Sequence, residues 1–267
     1  MADDLERTEL RRRTYGTGDL GTMSIFAGGF INFGYWDGIP LDGELTVEQR
    51  IASQEALYDV VLDALDIAGQ RVLEVGCGQG VGARLVLRRE PELLRGIDLI
   101  SEQVDRARAV NRDERVEFVL GSASDIPFAD DSFDRLLSVE AAQHFEDLAG
   151  FARESARVLA PGGRLAVTTF FARHDDAGPA LAELIETFAT GLDLAHPIGR
   201  FTDDLRVAGF EDVRADSIGA HVWAGLDRWI AFGEFRDRWD RNWIPATERG
   251  LADYYLVTAR QPAGSKA

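Results

Sequence analysis

Residues 72 to 80 read VLEVGCGQG, a short run of strand formers leading into three glycines at every second position, Gly76, Gly78 and Gly80. A helical stretch, GARLVLRR, follows at once. A strand that enters a glycine-rich turn and then a helix brings backbone N–H groups against a nucleotide-like ligand. The spacing differs from the G-x-G-x-x-G of dinucleotide enzymes, so no pyrophosphate-binding fingerprint is present. Asp98, within GIDL, ends the second predicted strand. A carboxylate at that neighbouring strand tip can accept hydrogen bonds from both hydroxyls of a ribose.

From residue 47 onward the chain alternates helix and strand patterns. TVEQRIASQEALYDVVLDALDI has helical periodicity, and SEQVDRARAVNRD opens with a Ser101 capping signal and Glu102 in its first turn. Strands are predicted at RVLEVGCG, LRGIDL, VEFVLGSA, FDRLLSVEAA and RLAVTTFF, and two more at EDVRADSIG and ADYYLVTARQ. Short apolar strands separated by helices imply parallel pairing through crossovers, with both sheet faces covered. The expected fold is therefore α/β, a doubly wound, mostly parallel, seven-stranded sheet with an N-terminal lid and a helical cap. Its expected divisions are a lid over 1–46, a core over 47–171, and the remainder of the same domain over 172–267 with a cap insertion at about 219–250.

Composition narrows the function classes. The chain has 267 residues, 29 Lys plus Arg against 46 Asp plus Glu, and a formal charge of −17. Nucleic acid and anionic membrane would repel such a surface, so neither is expected as a partner. Cys77 is the single cysteine, and the opening MADDLERTELRRRTYGTG carries charges where a secretory leader would be apolar. A cytoplasmic protein is expected, with a homodimer left open. No pair of His at i and i+4 and no Cys cluster occurs, so no metal site is expected.

The segments VLEVGCGQG, GIDL, DIPFADDSFD and RVLAPGGRL, in that order, resemble the class I S-adenosylmethionine-dependent methyltransferases, specifically their small-molecule branch. The resemblance is closest over about residues 70–171. It implies S-adenosylmethionine as cofactor, with Glu74 and the loop of Gly76, Gly78 and Gly80 at the methionine end, Asp98 on the ribose and Leu99 on the adenine. Where such enzymes commonly carry Gly-Asp-Ala at the third strand tip, this chain has Gly121, Ser122 and Ala123; Ser122 and Ala123 are assigned to the adenine, with Asp125 as a competitor for the amine contact. The resemblance also implies substrate-side residues in VEAAQHFED. There His144 is the candidate base, and Glu140 and Gln143 orient it or the substrate, Gln143 being counted with the cofactor-binding set as well. His174, His196 and His221 rank below His144.

The glycine-punctuated FAGGFINFGYWDG suits a lid, with Tyr35 as a polar finger reaching the cofactor carboxylate or the acceptor and Phe30 and Trp36 as apolar cover. In the cap, Leu226, Trp229, Ile230 and Gly233 form one helical stripe and Phe232, Phe235 and Trp239 another; one covers the sheet and the second lines a pocket. Phe30, Trp36, Trp223 and Trp229 are the candidate substrate contacts. Methyl transfer to a hydroxyl of a hydrophobic small molecule, a specialised metabolite, is the expected reaction. N- or C-methylation, a nicotinamide-linked oxidoreductase and a non-catalytic cofactor-binding protein stay open as alternatives.

Overall fold

All seven expected strands form and join one sheet. They are β1 (Arg71–Val75), β2 (Leu93–Asp98), β3 (Val116–Leu120), β4 (Phe133–Val139), β5 (Leu159–Ala172), β6 (Glu211–Ser217) and β7 (Ala252–Arg260), ordered β3-β2-β1-β4-β5-β7-β6. The computed structural model describes residues 2–18 and 20–264. Pairs among β1 to β5 are parallel, while β7 runs antiparallel to both β5 and β6. Strand order reverses between β1 and β4, which opens a crevice at their carboxyl ends.

Among the described residues there are ten α-helices: α1 (Ala2–Arg11), α2 (Val47–Leu65), α3 (Ala83–Arg88), α4 (Ser101–Val110), α5 (Leu148–Val158), α6 (Gly178–Leu184), α7 (Glu186–Thr190), α8 (Ile198–Val207), α9 (Trp223–Ala231) and α10 (Trp243–Glu248). Alternation along β1 sends Val72 into a core shared with Leu57 and Val61 of α2, and Leu73 and Val75 into a core shared with Phe151 of α5 and Leu205 of α8. Glu74 lies on the α2 side, where Tyr58 meets it. Thr46 and Gln49 close a reciprocal capping box that fixes where α2 begins. Asp134 holds Arg71 through two side-chain hydrogen bonds of 2.8 and 3.0 Å, pinning β4 beside β1. The expected Ser101 cap does not form, since its hydroxyl donates to Glu102 and Asp98 takes the Ile100 N–H instead.

The N-terminal segment differs from a loose lid. Arg50, fully buried on α2, donates to the carbonyls of Ile25, Asn32 and Phe33, and Gln54 accepts from Ala27 N and donates to Phe30 O. These bonds staple residues 25–33 to the core. Ahead of them lies a helix that periodicity did not announce, α1, continued by a π-helical stretch, Arg12–Thr17. Its own sequence is polar, and distant partners hold it: Arg7 and Arg11 pair with Glu146, Arg12 pairs with Glu102, and Arg106 donates to the carbonyls of Tyr15 and Gly16.

The cap is helical. Leu226, Ile230 and Phe235 all enter the core, Phe232 remains 49% exposed, and the Trp239 side chain lies outside the described residues. No helix among the described residues is long and apolar enough to cross a membrane.

Candidate active site

The crevice at the strand reversal is a cavity whose walls come from the β1 loop, the tips of β2, β3 and β4, and the N-terminal segment. The three loop glycines have positive φ, and each does something different. A Cβ on Gly76 would collide with Ala141 after β4, so Gly76 lets the two strand ends approach. A Cβ on Gly78 would meet no protein atom within 4 Å; this glycine faces the cavity. Gly80 is a correction to the expected set. It is not on the cavity wall, and its Cβ would strike Ala107, Asn111 and Phe118 at 2.8 Å, so it serves the packing of α4 and β3.

Asp98 accepts from Gly78 N and Ile100 N, each at 2.9 Å, one on each carboxylate oxygen. Burial raises its pKa against the pull of those N–H groups. Leu99, 48% exposed, lies on the same wall with Ser122, Ala123 and Ser124. Asp125 does not reach it, being turned into a tight loop whose N–H donates to Ser122 O. Glu74 sits behind the wall with Oε1 accepting from Tyr58 at 2.9 Å and Oε2 buried without a partner. Burial raises its carboxyl to about 7.

After β4 the chain places Glu140, in a left-handed conformation at φ 49°, and then a 3₁₀ turn, Ala142–His144. Glu140 Oε2 accepts from Phe33 N at 2.7 Å and the Tyr254 hydroxyl at 2.6 Å. Burial lifts its carboxyl to about 8. Gln143 is a second correction: it lines the second cavity rather than the crevice, with Nε2 donating to Glu140 O and lying 3.3 Å from His144 Nε2 and Oε1 accepting from Thr169, which fixes the turn.

His144 lies on the crevice wall with both ring nitrogens engaged. Nδ1 faces only acceptors, Leu192 O at 2.9 Å and Asp193 Oδ1 at 3.2 Å, so it carries the proton. Nε2 therefore accepts, from the Tyr15 hydroxyl at 2.9 Å. Burial lowers its pKa to about 3, with Arg11 adding to the effect. The expectation of an imidazole poised near neutral pH is thus corrected. Burial likewise raises Asp193 to about 7.

A second cavity adjoins the first. Its walls include Met23, Ile25, Phe26, Phe33, Phe170, Phe235 and Trp243, and the two cavities share Tyr15, Ile31 and Glu140. None of the four candidate substrate contacts lines the second cavity. Phe30 lines the first. Trp36 donates to Phe33 O and packs against Gly225, Trp223 donates to Asp253 and stacks on Trp243, and Trp229 donates to Ser24 O and Ile25 O. Each indole N–H is spent on a structural bond: Trp36 within the N-terminal segment, Trp229 from the cap to that segment, and Trp223 from the cap to β7. Tyr35 also lies away from both cavities, with its ring 5.0 Å from that of His221. Tyr15, on the polar stretch before the glycines, occupies the junction instead. Among the described residues no group of three or more His, Cys, Asp and Glu side chains is arranged to hold a metal ion.

A glycine-lined crevice at the switch point of this strand order is where doubly wound α/β proteins bind their ligands. The methyltransferase domain family model matches residues 73–167. The chain is 34% identical to an erythromycin 3''-O-methyltransferase of Saccharopolyspora erythraea, over 88% of this chain and 84% of that one. It is 37% identical to the methyltransferase GfsG of Streptomyces halstedii, over 62% of this chain and only 60% of that relative's length. A geranyl diphosphate C-methyltransferase from Streptomyces coelicolor superposes with a TM-score of 0.78 at 17% identity, covering 96% and 97% of the two chains, which bears on the fold. The chain belongs to the class I S-adenosylmethionine-dependent methyltransferases. Its cofactor is S-adenosylmethionine, and the crevice fits that molecule: Gly78 is bare toward open space, and each Asp98 oxygen keeps a lone pair beyond its single backbone donor.

The buried acids give the ligand-free protein a pH signature. Glu74, Glu140 and Asp193 all have raised folded-state pKa values, so each holds its proton more tightly folded than unfolded. Their contribution is present at low pH and is lost as pH rises through about 7 and then about 8. His144 and His196, shifted down, act in the window below their ordinary 6.5. Melting by scanning fluorimetry is expected several degrees lower at about pH 8.5 than at about pH 6.5. A Tm that holds or rises over that interval contradicts the assignment.

Proposed function

We propose that this enzyme transfers a methyl group to a hydroxyl of a hydrophobic small molecule, a specialised metabolite, seated in the second cavity. The observation that carries the reading is the meeting of a glycine-walled crevice and an aromatic-walled cavity at Glu140, Tyr15 and Ile31. The relative named for 3''-O-methylation supports oxygen as the acceptor atom over nitrogen or carbon.

In this reading the backbone at Gly76 and Gly78, with Glu74 behind it, holds the methionine end, Asp98 takes the ribose hydroxyls, and Leu99, Ser122 and Ala123 meet the adenine. Phe30 closes the crevice from the N-terminal side. When bound, the cofactor supplies an electrophilic methyl carbon on a sulfonium sulfur. Catalysis is then mostly positioning and exclusion of water, plus removal of the acceptor's proton. Glu140 is the proton acceptor: it borders both cavities, its Oε1 has no hydrogen-bond partner among the described residues, and a carboxyl near 8 suits proton transfer near neutral pH. His144, far less basic, fastens Tyr15 across the opening, so that residues 2–18 act as a strap over the site.

Titrating S-adenosylhomocysteine calorimetrically tests the crevice assignment. Asp98→Ala should cost about 2 kcal/mol or more, roughly 30-fold in Kd. Unaltered affinity would remove Asp98 from the ribose. Screening phenols, amines and macrocyclic alcohols for methyl uptake then identifies the acceptor class.

A further inference from the structure

The second cavity combines two kinds of wall that a purely apolar acceptor would leave unmatched. One is aromatic: Phe33 lies 5.7 Å from Phe170 and 5.4 Å from Trp243, and Phe170 lies 4.5 Å from Trp243, measured between ring centroids. The other is acidic. Asp193 and Asp240, 7% and 6% exposed, line the cavity together with Glu140. Asp240 Oδ2 is buried with no hydrogen-bond donor, the nearest cation being Arg238 Nε at 3.6 Å, beyond hydrogen-bonding distance.

The protein meets these carboxylates only in part: Arg238, on the same cavity wall, is within ion-pair reach of Asp240 but donates it no hydrogen bond, and the protonated His144 Nδ1 faces Asp193 at 3.2 Å. Arg238 is half exposed and stacked over Phe235. Arg11, which acts on Asp193, donates to Glu146 through Nη1 and keeps Nη2 buried without a hydrogen-bond partner, and Arg50, which acts on Glu140, is committed to backbone carbonyls. A buried carboxylate without a donor is costly to keep, and the faces of aromatic rings attract cations.

We infer that the acceptor carries a basic nitrogen, bound as an ammonium in the cavity whose wall combines Asp193 and Asp240 with the rings of Phe33, Phe170 and Trp243. This rests on reading the second cavity as the acceptor site. The ammonium is an anchor: it has no lone pair with which to attack a methyl group, so the carboxylates that recognise it also keep it out of the reaction. The hydroxyl elsewhere on the molecule is then the group presented to Glu140.

Two small probes separate charge from shape, N,N-dimethyl-4-phenylbutylamine and 4-phenylbutan-1-ol. Each is titrated calorimetrically near neutral pH into the free protein and into protein saturated with S-adenosylhomocysteine. The amine is expected to bind at least about tenfold tighter than the alcohol. In Asp240→Asn, and separately in Asp193→Asn, that preference should fall below about threefold while S-adenosylhomocysteine affinity is retained. Equal affinities, binding of neither probe, or a preference that survives both substitutions would overturn the inference. Failure of the wild-type protein to bind S-adenosylhomocysteine would instead overturn the reading of the first cavity, and the free-protein titration still reports on the second.

Discussion

Replacing Glu140 by Gln should leave S-adenosylhomocysteine binding intact and slow methyl transfer by about 10² to 10³. The amide is close to isosteric, and its carbonyl oxygen can still accept from Phe33 N and the Tyr254 hydroxyl, so the fold around the β4 tip has reason to persist. What the variant loses is the ability to take a proton. The sign of the pH dependence follows. The active form of a base is deprotonated, so wild-type turnover should climb with pH and level off above about 8, where the raised carboxyl has ionised. Glu140→Gln should show no such climb. A variant with wild-type turnover, or one whose pH profile keeps the same inflection, would assign the proton to another group.

Arg50→Ala is expected to destabilise the protein by about 4 kcal/mol, lowering Tm by about 10 °C. Arg50 has no exposed surface, and its fork spans the carbonyls of Ile25, Asn32 and Phe33 while its guanidinium lies 5.6 Å from the centre of the Trp36 ring. Burial lowers its pKa to about 9, with Glu140 and Tyr254 opposing the shift. Truncation removes those donors together and leaves a large void under the segment that lines both cavities. Arg50→Lys should recover part of the stability, because one ammonium cannot span three carbonyls. Loss of less than about 1 kcal/mol in the Ala variant would show that other bonds, such as those of Gln54, hold the segment.

The sheet was legible in the sequence because each strand is a short apolar run bounded by glycines or polar turns, a pattern local enough to read without a partner. The β1 loop and Asp98 were legible for the same reason. What escaped depended on distant contacts. Residues 2–18 have little apolar periodicity of their own, and their helix is set by Glu146, Glu102 and Arg106, which lie 90 or more residues away in most of these pairs. Tyr15 therefore carries no local signal, whereas Tyr35 sits among glycines that suggest a lid, in a segment that Arg50 pins through the carbonyls of Ile25, Asn32 and Phe33. Aromatic content in the cap was visible, yet which rings face a cavity depends on how β5, the cap and the N-terminal segment converge; Phe33, Phe170, Phe235 and Trp243 do so, and Trp223 and Trp229 do not. The resemblance places Gly80 with Gly76 and Gly78, and nothing local in the loop shows that its neighbours are Ala107, Asn111 and Phe118 on and beside α4 and β3. The pKa of His144 could not be read from a motif, since burial sets it.

The central claim is that the space in front of Gly78 is where the cofactor lies. Gly78→Val puts a branched side chain into that space and nowhere else, since no protein atom lies within 4 Å of the position its Cβ would take. The left-handed backbone there costs about 1 kcal/mol, which a melting curve registers separately. Calorimetric titration of S-adenosylhomocysteine is predicted to give one site per chain of about micromolar affinity in the wild-type enzyme and no measurable heat in a folded Gly78→Val variant. Wild-type affinity in that variant would contradict the account.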